Sequence, residues 1–385
     1  MNGKKKILIF STAYFPFVGG AEVAVREITD RTPDIEFDLI TAKFDKKLPA
    51  TERIGNVTVY RVGSGSPFFD KLLLPLRGMF LTRRLHKANS YSAFWCIMAS
   101  FGSGAAYLHN IFFKKVPIIL TLQEGDSENH LTYRWFGLIS ASWKAALRRT
   151  DILTAISTFL LARAEKNGYK GKSFLVPNGV DLAIFSREVP LEERDHLRTK
   201  LGKKEGDIFL ITVGRLTHKN GTDDVIRSLP LLPSNVQLVI VGKGDDGPKL
   251  QKLAEKLGVA DRVKFLGFVE YTDIPKYLSI SDIFIRPSRS EGFGNAFIEA
   301  MAARLPVIAT PVGGIPDFLE DGKTGIFCNP DNPKSISVAV KKILSDPGKD
   351  QMVENAYKLV CEKYDWSVVA KNFSKILDAI DTLTL

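Results

Sequence analysis

Residues 287–301 read Pro-Ser-Arg-Ser-Glu-Gly-Phe-Gly-Asn-Ala-Phe-Ile-Glu-Ala-Met, and they come just after the apolar run 283–285. The run predicts a buried strand, and the apolar second half of the quoted stretch predicts a helix. Gly292 and Gly294 lie in the turn between them, where a missing side chain lets a ligand approach the backbone. A turn that opens a helix directs free backbone N–H groups at an anion. The stretch therefore predicts a phosphate-binding turn.

Two carboxylates flank this turn. Glu291 precedes the predicted helix, and Glu299 lies about 7 Å further along it, because a helix rises about 1.5 Å per residue. A bare pair at this spacing is explained by a helix-start acid and a solvated surface acid. Beside the Gly-Phe-Gly turn, we interpret one carboxylate as facing a sugar and the other as reaching a ribose.

Short apolar runs alternate with longer helical patterns along the whole chain. Such runs are typical of parallel strands covered on both faces, and they occur at 6–10, 94–99, 116–122, 152–156, 208–213, 237–241, 263–266, 283–285 and 307–309. The alternation predicts a doubly wound α/β fold, and 385 residues are too many for one ordinary core.

The boundary between two such domains is predicted near Pro177 and Gly179, which interrupt regular structure. We expect a first Rossmann-like domain over 1–180 and a second over 181–365, facing each other across a cleft at the carboxyl ends of both sheets. A last helical pattern over 366–385 either caps the second domain or crosses back to the first.

Composition limits the class of partner and the compartment. The net charge of +10 favours an anionic partner, but no zinc-finger or RNA-binding signature accompanies it, so nucleic acid is not expected. Cys96, Cys328 and Cys361 form no CxxC pair, as is typical of a reducing compartment. No apolar run approaches the ~20 residues that cross a bilayer. We expect a cytoplasmic protein.

Residues 67–87 combine apolar and basic side chains. An apolar helix face with basic flanks predicts peripheral contact with an anionic membrane, whereas a core-packed helix with a cationic edge is the alternative. The residues concerned are Phe68, Phe69, Leu72, Leu73, Leu74, Leu76, Met79, Phe80 and Leu81, beside Lys71, Arg77, Arg83, Arg84 and Lys87.

Several further motifs accompany Glu-Gly-Phe-Gly and its second Glu. They are Gly19-Gly20 after the first strand, Pro177-Asn178-Gly179-Val180-Asp181, Val213-Gly214-Arg215-Leu216, Val241-Gly242-Lys243-Gly244 and Asp321-Gly322-Lys323-Thr324-Gly325. Together they resemble glycosyltransferase family 4, which has the GT-B fold. The resemblance spans nearly the whole chain. It implies a retaining enzyme that moves a hexose from a UDP- or GDP-linked donor to a saccharide or lipid-linked acceptor, in glycan or glycolipid biosynthesis.

The resemblance also implies roles for particular residues. Glu291 would hold sugar hydroxyls, Glu299 would bind the nucleotide ribose, and Arg215 with Lys219 would offset the charge of the leaving diphosphate. The other residues implied in donor binding are Gly19, Gly20, Gly292, Phe293, Gly294, Asn295 and, near the base, Phe268. No Asp-x-Asp metal signature follows a strand, so we expect no metal and no cofactor.

Two departures from the family pattern bear on mechanism. Lys219 lies one position before the family's lysine, which directly precedes the glycine. Gln123 replaces a histidine found in many relatives, and glutamine can neither become cationic nor relay a proton. Glu124 and Asp126 would shape the acceptor and sugar pocket, or else are loop acids that cap the next helix. His109 could replace the missing histidine, although an ordinary loop histidine is the simpler interpretation.

Other functions fit the same fold. A sugar-nucleotide epimerase or a phosphorylase would share the two domains, but the linked Glu-Gly-Phe-Gly and Pro-Asn-Gly-Val-Asp segments favour a transferase. A non-catalytic nucleotide-sugar-binding homologue is a further alternative, and Gln123 and the displaced Lys219 are the features that support it.

Overall fold

The computed structural model describes residues 4–125 and 138–383. The chain divides into two compact units. The first contains residues 1–178 and 366–385, and the second contains residues 179–365. Each unit is built on its own sheet.

The first unit contains an eight-stranded sheet in the order β3-β4-β2-β1-β5-β6-β7-β8. Its strands are β1 (Lys5–Phe10), β2 (Ile35–Ala42), β3 (Thr51–Ile54), β4 (Val57–Val62), β5 (Ala93–Ile97), β6 (Ile118–Leu122), β7 (Ile152–Ala155) and β8 (Lys172–Leu175). Neighbouring strands are parallel except for β3 and β4. The helices between them are α1 (Gly20–Asp30), α2 (Pro67–Asn89), α3 (Phe101–Phe112), α4 (Leu138–Arg148) and α5 (Thr158–Lys166).

The second unit contains a six-stranded parallel sheet in the order β11-β10-β9-β12-β13-β14. Its strands are β9 (Ile208–Val213), β10 (Val236–Val241), β11 (Val263–Gly267), β12 (Ile283–Arg286), β13 (Val307–Ala309) and β14 (Ile326–Phe327). Its helices are α6 (Leu182–Phe185), α7 (Leu191–Lys200), α8 (Thr222–Ser228), α9 (Gly247–Lys256), α10 (Ile274–Leu278), α11 (Asn295–Ala302), α12 (Pro333–Ser345) and α13 (Lys349–Lys363). Short 3₁₀ turns include His218–Asn220.

Strand order reverses once in each sheet, which is the doubly wound pattern. In the second unit β9 lies between β10 and β12, and in the first unit β1 lies between β2 and β5. The prediction of two Rossmann-like α/β sheets is confirmed. All nine predicted strands are present, within two residues at each end.

Five strands were not predicted: β2, β3, β4, β8 and β14. β4 alternates buried and half-buried residues, and β8 is half-buried or exposed throughout. A rule that looks for continuous apolar runs finds strands that are covered on both faces, so it misses strands with these burial patterns. β14 has only two residues.

The two last helices, α14 (Trp366–Asp378) and α15 (Ile380–Leu383), belong to the first unit. The Phe373 ring lies 4.4 Å from the Trp95 ring of β5, centroid to centroid. The Lys5 ammonium group donates a hydrogen bond of 2.7 Å to the Leu377 carbonyl oxygen. Of the two placements that the sequence left open, the structure shows the crossover back to the first unit.

No helix in residues 4–125 and 138–383 is long and apolar enough to cross a membrane.

The first unit should lose stability when α14 loses its buried ring. Phe373 is fully buried, so Phe373→Ala should lower the free energy of unfolding by about 3–5 kcal/mol through lost burial and a new cavity. Urea denaturation measures this change. Phe68→Ala is the matched control, because the Phe68 ring is 71% exposed. Equal, small effects of the two substitutions would show that α14 does not support the unit.

Candidate active site

The candidate site lies where the strand order of the second sheet reverses. β9 and β12 are neighbours there, and their carboxyl ends lead into the loops 214–221 and 287–294. Ligands of doubly wound folds bind at this point, because the connections from the two strands leave in opposite directions and open a crevice.

Backbone contacts lock these two loops together. Gly221 has a positive φ of 68°, and a Cβ atom there would lie 2.1 Å from the Pro287 carbonyl oxygen. The Arg289 N–H donates a hydrogen bond of 2.7 Å to the Lys219 carbonyl oxygen. The loop that carries Lys219 is therefore fixed against the loop that carries Glu291.

Arg289 strengthens this connection with its side chain. The guanidinium group pairs with Asp223 at 2.7 Å, Asp224 at 2.6 Å and Asp331 at 2.5 Å, and it donates to the His218 carbonyl oxygen at 2.7 Å. Burial works against the charge, but the surrounding carboxylates raise the pKa of Arg289 above its ordinary value. Its partners come from three separate segments, so the sequence alone did not indicate this role.

The glycine turn holds amide groups that lack a partner. α11 begins at Asn295, and Gly294 precedes it with a φ of 98°. Residues 292–294 are buried, yet no acceptor in the described part of the chain meets the N–H of Phe293 or Gly294. A buried amide without an acceptor costs about 1–3 kcal/mol, so these groups call for a ligand oxygen. The turn thus presents unpartnered buried amides at the position where the sequence predicts phosphate binding.

Glu291 is held at both of its carboxylate oxygens. Oε2 accepts a hydrogen bond from the buried Arg286 guanidinium, and Oε1 accepts one of 3.2 Å from the Gly292 N–H. The Glu291 carbonyl oxygen accepts from Gly314 at 3.3 Å. A Cβ atom at Gly313 would lie 1.7 Å from that same carbonyl, so the loop after β13 needs glycine there.

Glu299 lies one turn inside α11 and is 7% exposed, so it is not a solvated surface residue. Burial raises the pKa of its carboxyl group to about 7, while the Arg286 charge opposes that shift. No hydrogen-bond donor in the described residues reaches the Glu299 carboxylate. The ionised form of this acid, which the Arg286 charge favours, can accept a hydrogen bond from a ligand hydroxyl.

Arg215 and Lys219 are exposed residues of the loop after β9. Within the described ranges the Arg215 guanidinium has neither a hydrogen-bond nor an ionic partner. The Arg215 carbonyl oxygen accepts a hydrogen bond of 2.6 Å from the side chain of Asn220, which is 6% exposed. Asn220 stands directly before Gly221, where the family places its lysine, and here it supports the turn instead.

Phe268 lies apart from these residues. It follows β11, two strands away from β9 in the sheet order, and its ring is 64% exposed. The structure thus brings together Glu291, residues 292–295, Glu299, Arg215 and Lys219 near the β9–β12 reversal, and places Phe268 at the sheet's edge strand.

In the first unit, Gly19 and Gly20 form the start of α1, beside the strand-order reversal at β1 and β5. The Gly19 N–H donates a hydrogen bond of 2.8 Å to Glu22, whose pKa is raised by burial. The helix start is therefore closed locally by its own carboxylate.

Among the residues after β6, Glu124 holds the local backbone through hydrogen bonds. The Glu124 carboxylate accepts 3.1 Å hydrogen bonds from the N–H groups of Ala99 and Gln123, so it joins the loops after β5 and β6. Burial raises the pKa of Glu124. Gln123 lies beside it, and Asp126 is outside the described residues.

His109 is not a loop residue. It lies within α3, is 1% exposed, and packs against Phe94 at 5.2 Å between ring centroids. Burial lowers its pKa. A neutral histidine enclosed by aromatic rings cannot replace the family's histidine next to a sugar.

Among residues 4–125 and 138–383, no group of three or more His, Cys, Asp or Glu side chains could hold a metal ion.

Comparisons with known proteins agree across both units. The model of Glycosyltransferase Family 4 matches residues 18–184, and that of Glycosyl transferases group 1 matches residues 193–359. An uncharacterized glycosyltransferase of Methanocaldococcus jannaschii is 32% identical over 354 residues, which is 87% of each chain. The GDP-mannose-dependent alpha-(1-6)-phosphatidylinositol monomannoside mannosyltransferase of Mycobacterium tuberculosis is 30% identical over 254 residues, 62% of this chain and 65% of that one.

Among solved structures, HepE of Anabaena in complex with UDP and glucose superposes with a TM-score of 0.78 at 21% identity, covering 97% of this chain and 100% of that one. At this identity the likeness concerns the fold. Together with the sequence relatives and the Glu-Gly-Phe-Gly turn, it identifies the chain as an enzyme of glycosyltransferase family 4 with the GT-B fold.

Proposed function

We propose that this enzyme moves a hexose from a UDP- or GDP-linked donor to a saccharide or lipid-linked acceptor, with retention at the anomeric carbon, in glycan or glycolipid biosynthesis. The observation that carries the proposal is the pair of buried, unpartnered amides at Phe293 and Gly294, next to Glu291 and to the unpaired Arg215. Retention rests on the family resemblance. A non-catalytic homologue is not favoured, because the named relatives are transferases.

The donor diphosphate would bind at the start of α11. The N–H groups of Phe293 and Gly294 supply hydrogen bonds, and the positive end of the helix dipole favours the anion. Arg215 and Lys219 would offset the charge that develops on the diphosphate as it leaves. No divalent ion is needed in this arrangement.

The two glutamates would bind the two sugar rings of the donor. Glu291, fixed at both oxygens, would accept sugar hydroxyls, and Glu299 would bind a ribose hydroxyl. In the transfer, the bond from the anomeric carbon to the phosphate oxygen breaks and a bond to the acceptor oxygen forms on the same face. The departing phosphate oxygen takes the acceptor's proton, so Gln123 need not act as a base.

For the nucleotide base and the acceptor we propose classes of molecule and the residues that would contact them. The relatives and solved structures with named ligands include a GDP-mannose-dependent enzyme and a UDP complex, which supports either nucleotide. We assign Phe268 to the base, as an exposed aromatic ring, and Gly19 and Gly20 to the donor phosphates or the acceptor. Gln123, Glu124 and Asp126 are assigned to the acceptor or sugar.

The enzyme would also bind an anionic membrane through α2 and α3. Phe69, Leu72, Leu76 and Phe80 recur every three or four residues along α2, so they form one exposed stripe. The same face continues into Arg83 and Lys87. Further exposed apolar residues of the two helices are Phe68, Phe101, Ile111 and Phe112. We call this the α2/α3 surface.

Charge selects an anionic bilayer as the occupant of the α2/α3 surface. Residues 67–115 contain seven Lys and Arg residues but one acid, Asp70. Asp70 is buried and accepts the N–H groups of Ser64, Gly65 and Ser66, so it adds no exposed negative charge. Apolar side chains among cations are typical of helices that lie in the interface of an acidic membrane.

Removing either cation of the loop after β9 should slow transfer. Arg215→Ala and Lys219→Ala should each lower kcat on the order of a hundredfold, because each removes a group that stabilises the leaving diphosphate. Turnover is measured with the UDP- or GDP-linked sugars that raise the melting temperature most in a ligand panel. Arg198→Ala is the control, since Arg198 pairs with Asp195 on the exposed side of α7. Wild-type turnover in both test variants would reject the assignment.

Transfer should not require a divalent metal. Excess EDTA should leave the initial rate unchanged, because the site offers cations and amides for the diphosphate. A rate that falls with EDTA and recovers with Mg²⁺ or Mn²⁺ would contradict this expectation.

Reversing charge on the α2/α3 surface should weaken membrane binding. The double variant Arg83→Glu, Lys87→Glu should bind phosphatidylglycerol vesicles about 30-fold more weakly or worse, since each cation near such a surface contributes about 1 kcal/mol. Sedimentation at low and high salt measures the binding. Lys341→Glu, Lys342→Glu on α12 changes net charge equally and should bind as the wild type does. Equal losses of vesicle binding in both double variants, or wild-type binding to phosphatidylcholine as strong as to phosphatidylglycerol, would contradict membrane binding through the α2/α3 surface.

A further inference from the structure

The inference concerns Arg286, a charged residue at the end of an otherwise apolar strand. β12 reads Ile-Phe-Ile-Arg, all four residues are buried, and Arg286 is 7% exposed. A buried cation is costly unless it is paired and hydrogen-bonded. Arg286 has no role in the proposed binding of the diphosphate, so its burial at the reversal of strand order needs a separate explanation.

The guanidinium group of Arg286 is fixed on several sides. Nε donates to the Ser288 hydroxyl at 3.2 Å, one terminal nitrogen donates to the Val213 carbonyl oxygen at 3.4 Å, and the other donates to Glu291. The guanidinium carbon lies 4.8 Å from the centroid of the Phe297 ring. These contacts join the end of β9, the glycine turn and α11, so the cation cannot move without moving one of them.

The positive charge of Arg286 acts on two carboxylates, those of Glu291 and Glu299. Arg286 forms an ion pair with Glu291 but none with Glu299, whose influence on it acts at longer range. Burial lowers the pKa of Arg286 to about 10, and the charge of Glu299 opposes that shift. Arg286 is the charged group that opposes protonation of Glu299.

We propose that Arg286 is a positioning residue of the transfer reaction: it aims the Glu291 carboxylate at the donor sugar and supplies the buried positive charge that Glu299 needs where it meets the ribose. Its direct pairing with Glu291 fixes one oxygen, while Gly292 fixes the other, and the remaining lone pairs accept hydroxyls. Its positive charge favours the anionic form of Glu299 in a buried setting. The role of both glutamates rests on the proposed function.

The first test needs no substrate. Carbon-13 NMR titration of labelled glutamate side chains, with Glu299→Gln to assign the signal, reads the pKa of Glu299 in the wild type and in Arg286→Met. Loss of a nearby opposite charge should raise that pKa by about 1–3 units. Arg286→Lys should keep it close to the wild-type value. If Arg286→Met does not fold, Arg286→Gln makes the same comparison, because it can still donate to the Val213 carbonyl oxygen.

Arg289→Met is the matched control. Arg289 lies three residues after Arg286, in the loop that follows β12, and its carboxylate partners are Asp223, Asp224 and Asp331 rather than the two glutamates. Its loss should lower stability but leave the Glu299 titration in place. An unchanged pKa in Arg286→Met and Arg286→Gln, or an equal shift in Arg289→Met, would overturn the proposal.

The second test uses the pH dependence of activity to distinguish a positioning role of Arg286 from a purely structural role. Because Glu299 must lose its proton to act as an anion, kcat/KM should rise with pH through the Glu299 pKa. In Arg286→Met the pH at which kcat/KM rises should increase by as many units as the pKa of Glu299 does in the NMR titration. In Arg286→Lys that pH should return to the wild-type value. A profile that stays in place while the rate falls would show a merely structural role. Absence of transfer by the wild type with every donor would refute the proposed function, while the NMR titration would still decide the role of Arg286.

Discussion

Backbone contact between the loops after β9 and β12 is the constraint on which the candidate site depends. Gly221 lies where a side chain would collide with the Pro287 carbonyl oxygen, and Gly313, in the loop after β13, lies where one would collide with the Glu291 carbonyl oxygen. Because no side chain intervenes, main-chain hydrogen bonds can hold the two loops at fixed distance. The cations of one loop and the amides of the other are then preorganised, which is the condition for stabilising charge in a reaction without reorganisation cost.

The fold was largely predictable because its central strands are covered on both faces. Such strands need apolar residues at every position, so β1, β9 and β10 are visible as continuous runs. The same reason explains several failures, since β4 alternates buried and half-buried residues and β8 exposes both of its ends. β2 is mostly buried, but Glu36 and Asp38 interrupt its apolar run. The placement of α14 could not be decided from its spacing, because an apolar stripe indicates that a helix packs without indicating against which sheet.

The site was predictable where its residues are adjacent in sequence. The turn that includes Gly292 and Gly294 could be recognised from its sequence, because two glycines in one turn indicate a backbone that a ligand can approach closely. Arg286, Arg289 and Asn220 were missed, because each works through partners brought together by folding. The lone charge at the end of the apolar strand β12 is the signal that could have identified Arg286, since a buried cation requires a partner.

The return of α14 to the first unit has a consequence for biosynthesis. During translation the residues up to 178 leave the ribosome before the whole second unit, and the ring of Phe373 that covers Trp95 follows that unit. Domains generally fold as units in the order of their synthesis. The second unit therefore has its whole sequence before the first does, so the first unit must wait, with apolar surface uncovered, until α14 has been made.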